Sequence, residues 1–143
     1  MRNKGFTLIE LLVVIALIGV LSTLLLSNFN AARQRGRDAQ RKSDLRSVGT
    51  ALRLFYNDTG AYPASTSDGR IQGVDWGQAW TVGTTNYMSA LPKDPLQTQG
   101  YRYTRVDLDT YILQACLENR SDDKGRQMSV GWCPTSWVYE VRP

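Results

Sequence analysis

Residues 6–26 form an almost uninterrupted apolar run, which constrains this chain more than any other feature. The run has 21 residues, and Glu10 is its only ionisable side chain. As a helix it would be about 30 Å long, enough to cross the hydrocarbon core of a bilayer. A carboxylate in such a segment is costly and generally has a function. We therefore expect a single membrane-spanning helix with a functional Glu10 in its first turns.

Two simpler interpretations compete with a functional motif. A secretory signal peptide has an apolar core of about 7–15 residues and then a small-residue cleavage site. The run here is longer, and no Ala-x-Ala site precedes the basic stretch at Arg33. A plain single-span anchor accounts for the length, but it gives no reason for the Gly5-Phe6 junction or for Glu10.

The segment from Gly5 to Ala16 resembles the amino terminus of type IV prepilins and type II secretion pseudopilins, and the resemblance extends over residues 1–26. It implies that a prepilin peptidase cleaves between Gly5 and Phe6, which removes the leader 1–5, and then N-methylates Phe6. It also implies that Glu10 meets the amino terminus of a neighbouring subunit, because a paired charge in hydrocarbon costs less than an unpaired one.

We expect the membrane half of the helix to cover residues 6–28 and an amphipathic half to cover residues 29–56. These families commonly have a proline where this chain has Ser27, so we expect Ser22, Thr23 and Ser27 to bend the helix more weakly by bonding to its backbone. In the second half, the spacing of Leu45, Val48, Leu52 and Phe55 predicts one apolar stripe that packs against a core.

Six basic residues follow the apolar run, and two roles are possible for them. They are Arg33, Arg35, Arg37, Arg41, Lys42 and Arg46. They form either a solvated helix face or a surface that meets acidic patches of adjacent subunits. A positive-inside count would place the carboxyl-terminal side in the cytoplasm. The prepilin resemblance implies the opposite orientation, with the amino terminus inside and the head outside.

A globular head is expected over residues 57–143. The turn-forming residues 57–60 should end the helix, and Tyr62-Pro63 should fix an extended exit. Residues 57–95 read as a connecting loop in which Trp76 and Trp80 are packing anchors rather than a binding site. The helix end, Tyr62-Pro63 and the turn at residues 91–95 are similar to pseudopilins, although Leu96-Gln97 replaces the Trp-Gly pair often found there.

Residues 96–143 should form a small antiparallel sheet of about four strands. The alternating patterns predict strands at residues 101–106, 110–117, 127–133 and 136–141. The fold class is therefore α+β, a pilin fold in which one long amino-terminal helix packs on the sheet.

Cys116 and Cys133 are the only cysteines. In an exported head, an even pair is most simply a disulfide. Some pseudopilins hold calcium in this part of the head. Five carboxylates are candidate ligands, but acidic residues in turns are more often only turn formers, so we predict no metal. The candidates are Asp107, Asp109, Glu118, Asp122 and Asp123.

Catalysis is not expected, because the chain has no histidine, no nucleophile paired with a base and no glycine-rich phosphate loop. No cofactor is expected either. The mature net charge of about +2, without Arg2 and Lys4, is too small to predict nucleic-acid binding. A monomeric membrane-anchored binding domain is a third possible class, behind a pilin and a pseudopilin.

The resemblance implies a structural pilin that polymerises into a type IV pilus-like filament. The alternative is the major pseudopilin of a type II secretion system, which forms a short periplasmic pseudopilus. The implied partners are copies of itself, the prepilin peptidase and methyltransferase, an assembly ATPase and an inner-membrane platform protein. The precursor would lie in the inner or cytoplasmic membrane, and the filament would be extracellular or periplasmic.

Overall fold

The computed structural model describes residues 5–143, with the side chains of residues 5–23 and 29–143. Most of the predicted leader, residues 1–4, lies outside the described residues, and so do the side chains of residues 24–28 in the predicted membrane half, including Ser27. Two compact units make up the chain, and the boundary between them falls between Gln34 and Arg35.

The helix α1 spans Leu8–Thr59 and has 52 residues. It ends inside the predicted turn cluster, where Gly60 adopts a positive φ of 76° and its N–H donates to the carbonyl oxygen of Tyr56 at 2.7 Å. Glycine suits this position because a left-handed φ carries no Cβ clash. Within the described part of the chain, none of the helical segments combines the length and the hydropathy that crossing a bilayer requires.

Six antiparallel strands belong to the second unit. They are β1 (Trp80–Val82), β2 (Thr85–Met88), β3 (Arg102–Arg105), β4 (Tyr111–Cys116), β5 (Gly125–Gln127) and β6 (Trp137–Val141). A four-stranded sheet has the order β3-β4-β6-β5, and β1 and β2 form a separate hairpin. The predicted α+β class, with one long helix on a four-stranded antiparallel sheet, is confirmed.

The core lies between the carboxyl-terminal part of α1 and one face of the larger sheet. Leu45, Val48 and Leu52 are fully buried, as the predicted stripe requires. They belong to one cluster with inward-facing residues of β3 and β4, such as Tyr103 and Leu113. Burial of side chains of this size stabilises the fold by about 1.5–3 kcal/mol each.

The predicted strand at residues 127–133 is wrong. The strand β5 ends at Gln127, and the chain then turns so that the Met128 N–H donates to the carbonyl oxygen of Ser136 at 2.8 Å. Met128 and Trp132 pack around Cys116 and Cys133 in a second small cluster. The apolar residues that follow β5 therefore pack in a loop around the disulfide and do not pair as a strand.

The hairpin of β1 and β2 lies in the segment 57–95, for which the sequence predicts a connecting loop. Its register pairs Val82 with Thr85, so that Gly83 and Thr84 form the turn, and Gly83 has a positive φ of 60°. A glycine at the first central position is typical of a two-residue hairpin turn. Trp80 is 2% exposed and stacks on Phe55 of α1, which confirms it as an anchor, whereas Trp76 packs edge-on against Tyr101.

Candidate functional site

The first turn of α1 has a reciprocal hydrogen-bonded cap. The backbone N–H and the hydroxyl of Thr7 donate to Oε2 of Glu10 at 2.8 and 2.6 Å, and the Glu10 N–H donates to the Thr7 hydroxyl at 3.3 Å. This is a capping box, which satisfies N–H groups that a helix start leaves unpaired. The sequence pattern Thr-x-x-Glu is the signal of this cap, which was not among the expectations from the sequence.

Gly5 and Phe6 precede this cap and are exposed. A Cβ built on Gly5 would meet no atom within 4 Å. Phe6 itself is 71% exposed. The predicted cleavage site is therefore accessible in the described structure.

The amino-terminal part of α1 exposes apolar side chains on all sides. Leu8 is 81% exposed, and the residues that follow it remain largely accessible through Leu21. A shallow groove on this surface is lined by Phe6, Ile9, Val13 and Val14 together with Glu10. Such a surface needs lipid or another apolar surface to cover it.

Two polar side chains in this part of the helix bond to its backbone, as predicted. The Ser22 hydroxyl donates to the carbonyl oxygen of Ile18 at 2.8 Å, and the Thr23 hydroxyl donates to that of Val20 at 2.8 Å. These bonds satisfy the hydroxyl groups within an otherwise apolar segment.

In the second unit, a buried arginine joins α1 to two loops of the head. Arg41 is 0% exposed and makes a bidentate pair with Asp94, with N–O distances of 2.7 and 2.8 Å. Its Nη1 also donates to Asp38 and to Glu118, both at 2.8 Å. A guanidinium that is removed from water needs this number of partners to offset its lost hydration.

Two carboxylates of this network also accept hydrogen bonds from backbone N–H groups. Asp38 accepts the N–H groups of Glu118 and Asn119 at 3.0 and 2.8 Å, and Asp94 accepts that of Leu96 at 2.8 Å. The network therefore fixes the position of the two loops on the helix as well as neutralising Arg41.

Two further cations of α1 pair with the loop that follows β4. Arg37 makes a bidentate pair with Glu118 at 2.7 and 2.6 Å, and Lys42 Nζ lies 2.5 Å from Asp122. Both expectations for the basic face are therefore wrong for Arg37, Arg41 and Lys42. These cations face carboxylates of their own head, because the apolar stripe turns this side of the helix toward it.

The pKa values of these groups follow from the pairing. The hydrogen bond from Arg37 lowers the pKa of Glu118 below its usual value, despite partial burial. Burial raises the pKa of Asp122, but the bonds from Lys42 and from the Lys124 N–H together outweigh burial, so the net shift of this pKa is downward. Burial lowers the pKa of Arg41, yet its bonds to Asp94, Glu118 and Asp38 raise it overall.

The residues considered for calcium do not fit that ion. Glu118 and Asp122 are bound by cations of α1, while Asp109 accepts a hydrogen bond from Tyr56 at 2.9 Å in a different turn. Across residues 5–143, no group of acidic residues is arranged to hold a metal ion. Of the five candidates, Glu118 and Asp122 are therefore already paired with an arginine or a lysine of α1.

Cys116, at the end of β4, forms a disulfide with Cys133, and the two Cα atoms are 5.3 Å apart. The bond joins an inner strand of the sheet to the loop before β6 and closes the segment that contains β5. The pairing agrees with the expectation from the sequence.

A long helix with an exposed apolar amino-terminal part, continued into a disulfide-bonded α+β head, defines a protein of the pilin-fold class. Residues 1–26 match the family model of the prokaryotic N-terminal methylation motif. No solved structure matches the chain significantly.

Curated relatives agree with this class. Type II secretion system core protein G of Klebsiella pneumoniae is 30% identical over 99 residues, which are 66% of this chain and 69% of that protein. The core protein G of Pseudomonas aeruginosa is 27% identical over 127 residues, 80% of this chain and 84% of that protein. Type IV major pilin protein PilA of Myxococcus xanthus is 38% identical over 61 residues, 43% of this chain but only 28% of that pilin. The chain belongs to the family of type IV pilins and type II secretion core proteins G.

Proposed function

We propose that this chain is a structural pilin that is processed between Gly5 and Phe6 and polymerises through its amino-terminal helix into a type IV pilus-like filament. The observation that supports this most directly is the exposed apolar surface of α1 beside Glu10. A surface of this kind suits lipid before assembly and the centre of a helical bundle after it.

The geometry of Glu10 suggests how assembly could be guided. Both hydrogen bonds from Thr7 reach Oε2, and among the described residues Oε1 has no partner. Cleavage creates an ammonium on Phe6, which is then N-methylated and remains cationic. The free carboxylate oxygen of Glu10 would accept the amino terminus of a neighbouring subunit, because two opposite charges in an apolar surrounding are far less costly together than apart.

The proposed partners and location follow the same family. A prepilin peptidase and methyltransferase would process the precursor in the cytoplasmic membrane, with the amino terminus inside and the head outside. An assembly ATPase and an inner-membrane platform protein would then extract subunits into the filament. The proposed role is structural and not catalytic.

The alternative is a major pseudopilin of a type II secretion system. The alignments with core protein G favour it, because they extend well beyond the helix, over 80% of this chain in one case. The alignment with the myxococcal pilin covers 61 residues, hardly more than the length of α1. In this alternative, the same processing and the same helix would produce a short periplasmic pseudopilus.

The first test is mass spectrometry of the mature amino terminus with electron microscopy of cell-surface material. We expect a chain that begins at N-methylated Phe6 and is present in fibres. An intact amino terminus at Met1, or a head that protease protection places in the cytoplasm, would refute the proposal.

Long surface fibres would indicate a pilus. Loss of protein secretion on deletion, without surface fibres, would indicate the pseudopilus.

A matched pair of variants separates the two roles of Glu10. Glu10→Gln keeps a side chain that can form the capping box but removes the charge, whereas Thr7→Ala keeps the charge and removes the cap. We expect Glu10→Gln to reduce incorporation into filaments strongly and Thr7→Ala to reduce it little. If Glu10→Gln assembles like the unmodified chain, the charge pairing is wrong.

A further inference from the structure

A groove with a basic rim runs along the head between α1 and the end of β6. It has a volume of about 490 Å³ and is lined by Arg46, Arg53 and Arg142, with Gly49 and Leu54 among the other residues. We call it the arginine groove. Arg46 and Arg53 lie seven residues apart on one face of α1, so both side chains border the arginine groove.

The arginine groove has charge and apolar surface that the rest of its own chain does not cover. Arg46 and Arg53 are exposed and form no ion pair within the described residues, while Arg142 is paired with Glu140 at 2.6 Å. Leu54 is 46% exposed. None of the residues that line the groove is acidic. A matching partner would therefore bring carboxylates and an apolar side chain together.

The turn between β3 and β4, residues 106–109, has these properties. We call it the acidic turn. Val106 and Leu108 are 58% and 59% exposed, and Asp107 and Asp109 stand on either side of Leu108. Few short segments of the head combine two exposed apolar side chains with two carboxylates.

The acidic turn is held in one conformation, so little entropy is lost when it docks. The Val106 N–H donates to the carbonyl oxygen of Thr110 at 2.9 Å, and the Tyr62 N–H donates to that of Leu108 at 2.8 Å. The Asp109 N–H donates to the Asp107 carboxylate at 2.9 Å. These bonds leave the side chains of Val106 and Leu108 pointing away from the core.

We propose that the acidic turn of one copy docks into the arginine groove of the next copy in the filament. Leu108 covers Leu54, and the carboxylate of Asp107 lies between Arg46 and Arg53. The contact joins two different surfaces of the same chain. Such a heterologous contact generates an open helical array unless its rotation closes a ring. This inference rests on the proposed function, because it assigns a contact within the filament.

Engineered cysteines test the contact in the full chain. The variant Leu54→Cys with Leu108→Cys should form intermolecular disulfides in sheared filaments, since its own cysteines are already paired with each other. Non-reducing gels should show a ladder of dimers, trimers and longer species. The control is Leu108→Cys with Val82→Cys, because Val82 is 48% exposed on the separate hairpin and should not cross-link. Bands that stop at the dimer would indicate a reciprocal closed contact and would overturn the open array.

Charge reversal tests the same contact without cross-linking. We expect Arg53→Glu to lower filament yield about tenfold, because it places two like charges opposite each other across the interface. Adding Asp107→Lys should restore most of the yield. Arg120→Glu is the control, as Arg120 is exposed and outside the groove. Membrane levels of each precursor show whether the chain has folded.

The two proposals fail in different ways. If the unmodified chain forms no filament of any kind, the proposed function is wrong. If filaments form but the Leu54 and Leu108 variant does not cross-link in them, and Arg53→Glu assembles normally, the docking contact alone is wrong.

Discussion

At the scale of single residues, Arg41 has the most consequential environment in the head. It is fully buried and is bound by Asp38, Asp94 and Glu118, which lie on the helix and on two loops. The spacing of Asp38 and Arg41 on one helix indicates a local pair. Nothing in the sequence indicates that Asp94, 53 residues further on, completes the network.

We expect Arg41→Met to destabilise the head by about 3–5 kcal/mol, because it leaves carboxylates buried without a cation. Urea unfolding of the full chain in detergent measures this. Arg46→Met is the matched control on the same helix, and an exposed substitution should change the free energy of unfolding by less than about 0.5 kcal/mol. Equal effects for the two variants would contradict the role of burial.

At the scale of elements, α1 illustrates how local chemistry fixes the two ends of a helix. Thr7 and Glu10 cap its start, and Gly60 ends it with a positive φ of 76°. Both are readable from the sequence, because caps depend on residues that are neighbours along the chain. The loop after Gln127 is the opposite case, since a disulfide and packing around it override an alternating pattern.

Two glycine substitutions, one just after the end of α1 and one inside it, should change stability in opposite directions. Gly60→Ala should destabilise the head by about 1–2 kcal/mol, because alanine is strained at a left-handed φ. Gly36→Ala should stabilise it by about 1 kcal/mol, since alanine favours a helix interior and a Cβ at Gly36 would meet no atom within 4 Å. Thermal unfolding followed by circular dichroism compares the two, and a shift in the same direction would refute this account.

The disulfide is the second element that can be tested. Its two cysteines are 17 residues apart in sequence. In the chain-entropy model a loop of this size stabilises by about 3 kcal/mol. We therefore expect replacement of both cysteines by alanine to lower the free energy of unfolding by about this amount. A reducing agent should lower it in the unmodified chain but leave the double variant unchanged, which serves as the control.

At the scale of the whole molecule, the ion pairs between α1 and the loop after β4 make the free energy of unfolding depend on pH. The pKa of Glu118 is lowered chiefly by the hydrogen bond from Arg37, and the pKa of Asp122 is lowered, against burial, by the bonds from Lys42 and Lys124 together. As pH falls, the unfolded chain therefore takes up protons on these carboxyls before the folded one does. The stability that the pairs provide is present above the usual carboxyl pKa and is lost as the pH falls through the folded values.

We expect the melting temperature to be nearly constant near neutral pH and to fall below pH 4.5, the ordinary pKa of a glutamate. Glu118→Gln should have a lower starting stability but a shallower decline with acid, because one of the linked groups is gone. The measurement is a series of thermal melts between pH 2.5 and 7. An identical acid slope in the variant would show that Glu118 does not contribute to the decline.

Several features of this molecule are determined by residues that are close together in the sequence. The apolar run, the cap at Glu10, the stripe from Leu45 to Phe55 and the turn at Gly60 each depend on residues within one or two helical turns. Their spacing predicts them because a helix places residues three and four apart on one face. Three of the four predicted strands are present, because alternating residues of a strand point to the same face of the sheet.

The tertiary structure decided what the basic residues do. Sequence alone placed Arg37, Arg41 and Lys42 on one side of a helix, but their partners other than Asp38 lie between 53 and 81 residues away. The fold also decided that Arg46 and Arg53 lie beside a groove without an ion pair to any described residue. Pairing across such separations depends on how helix and sheet pack, and no local pattern encodes that packing.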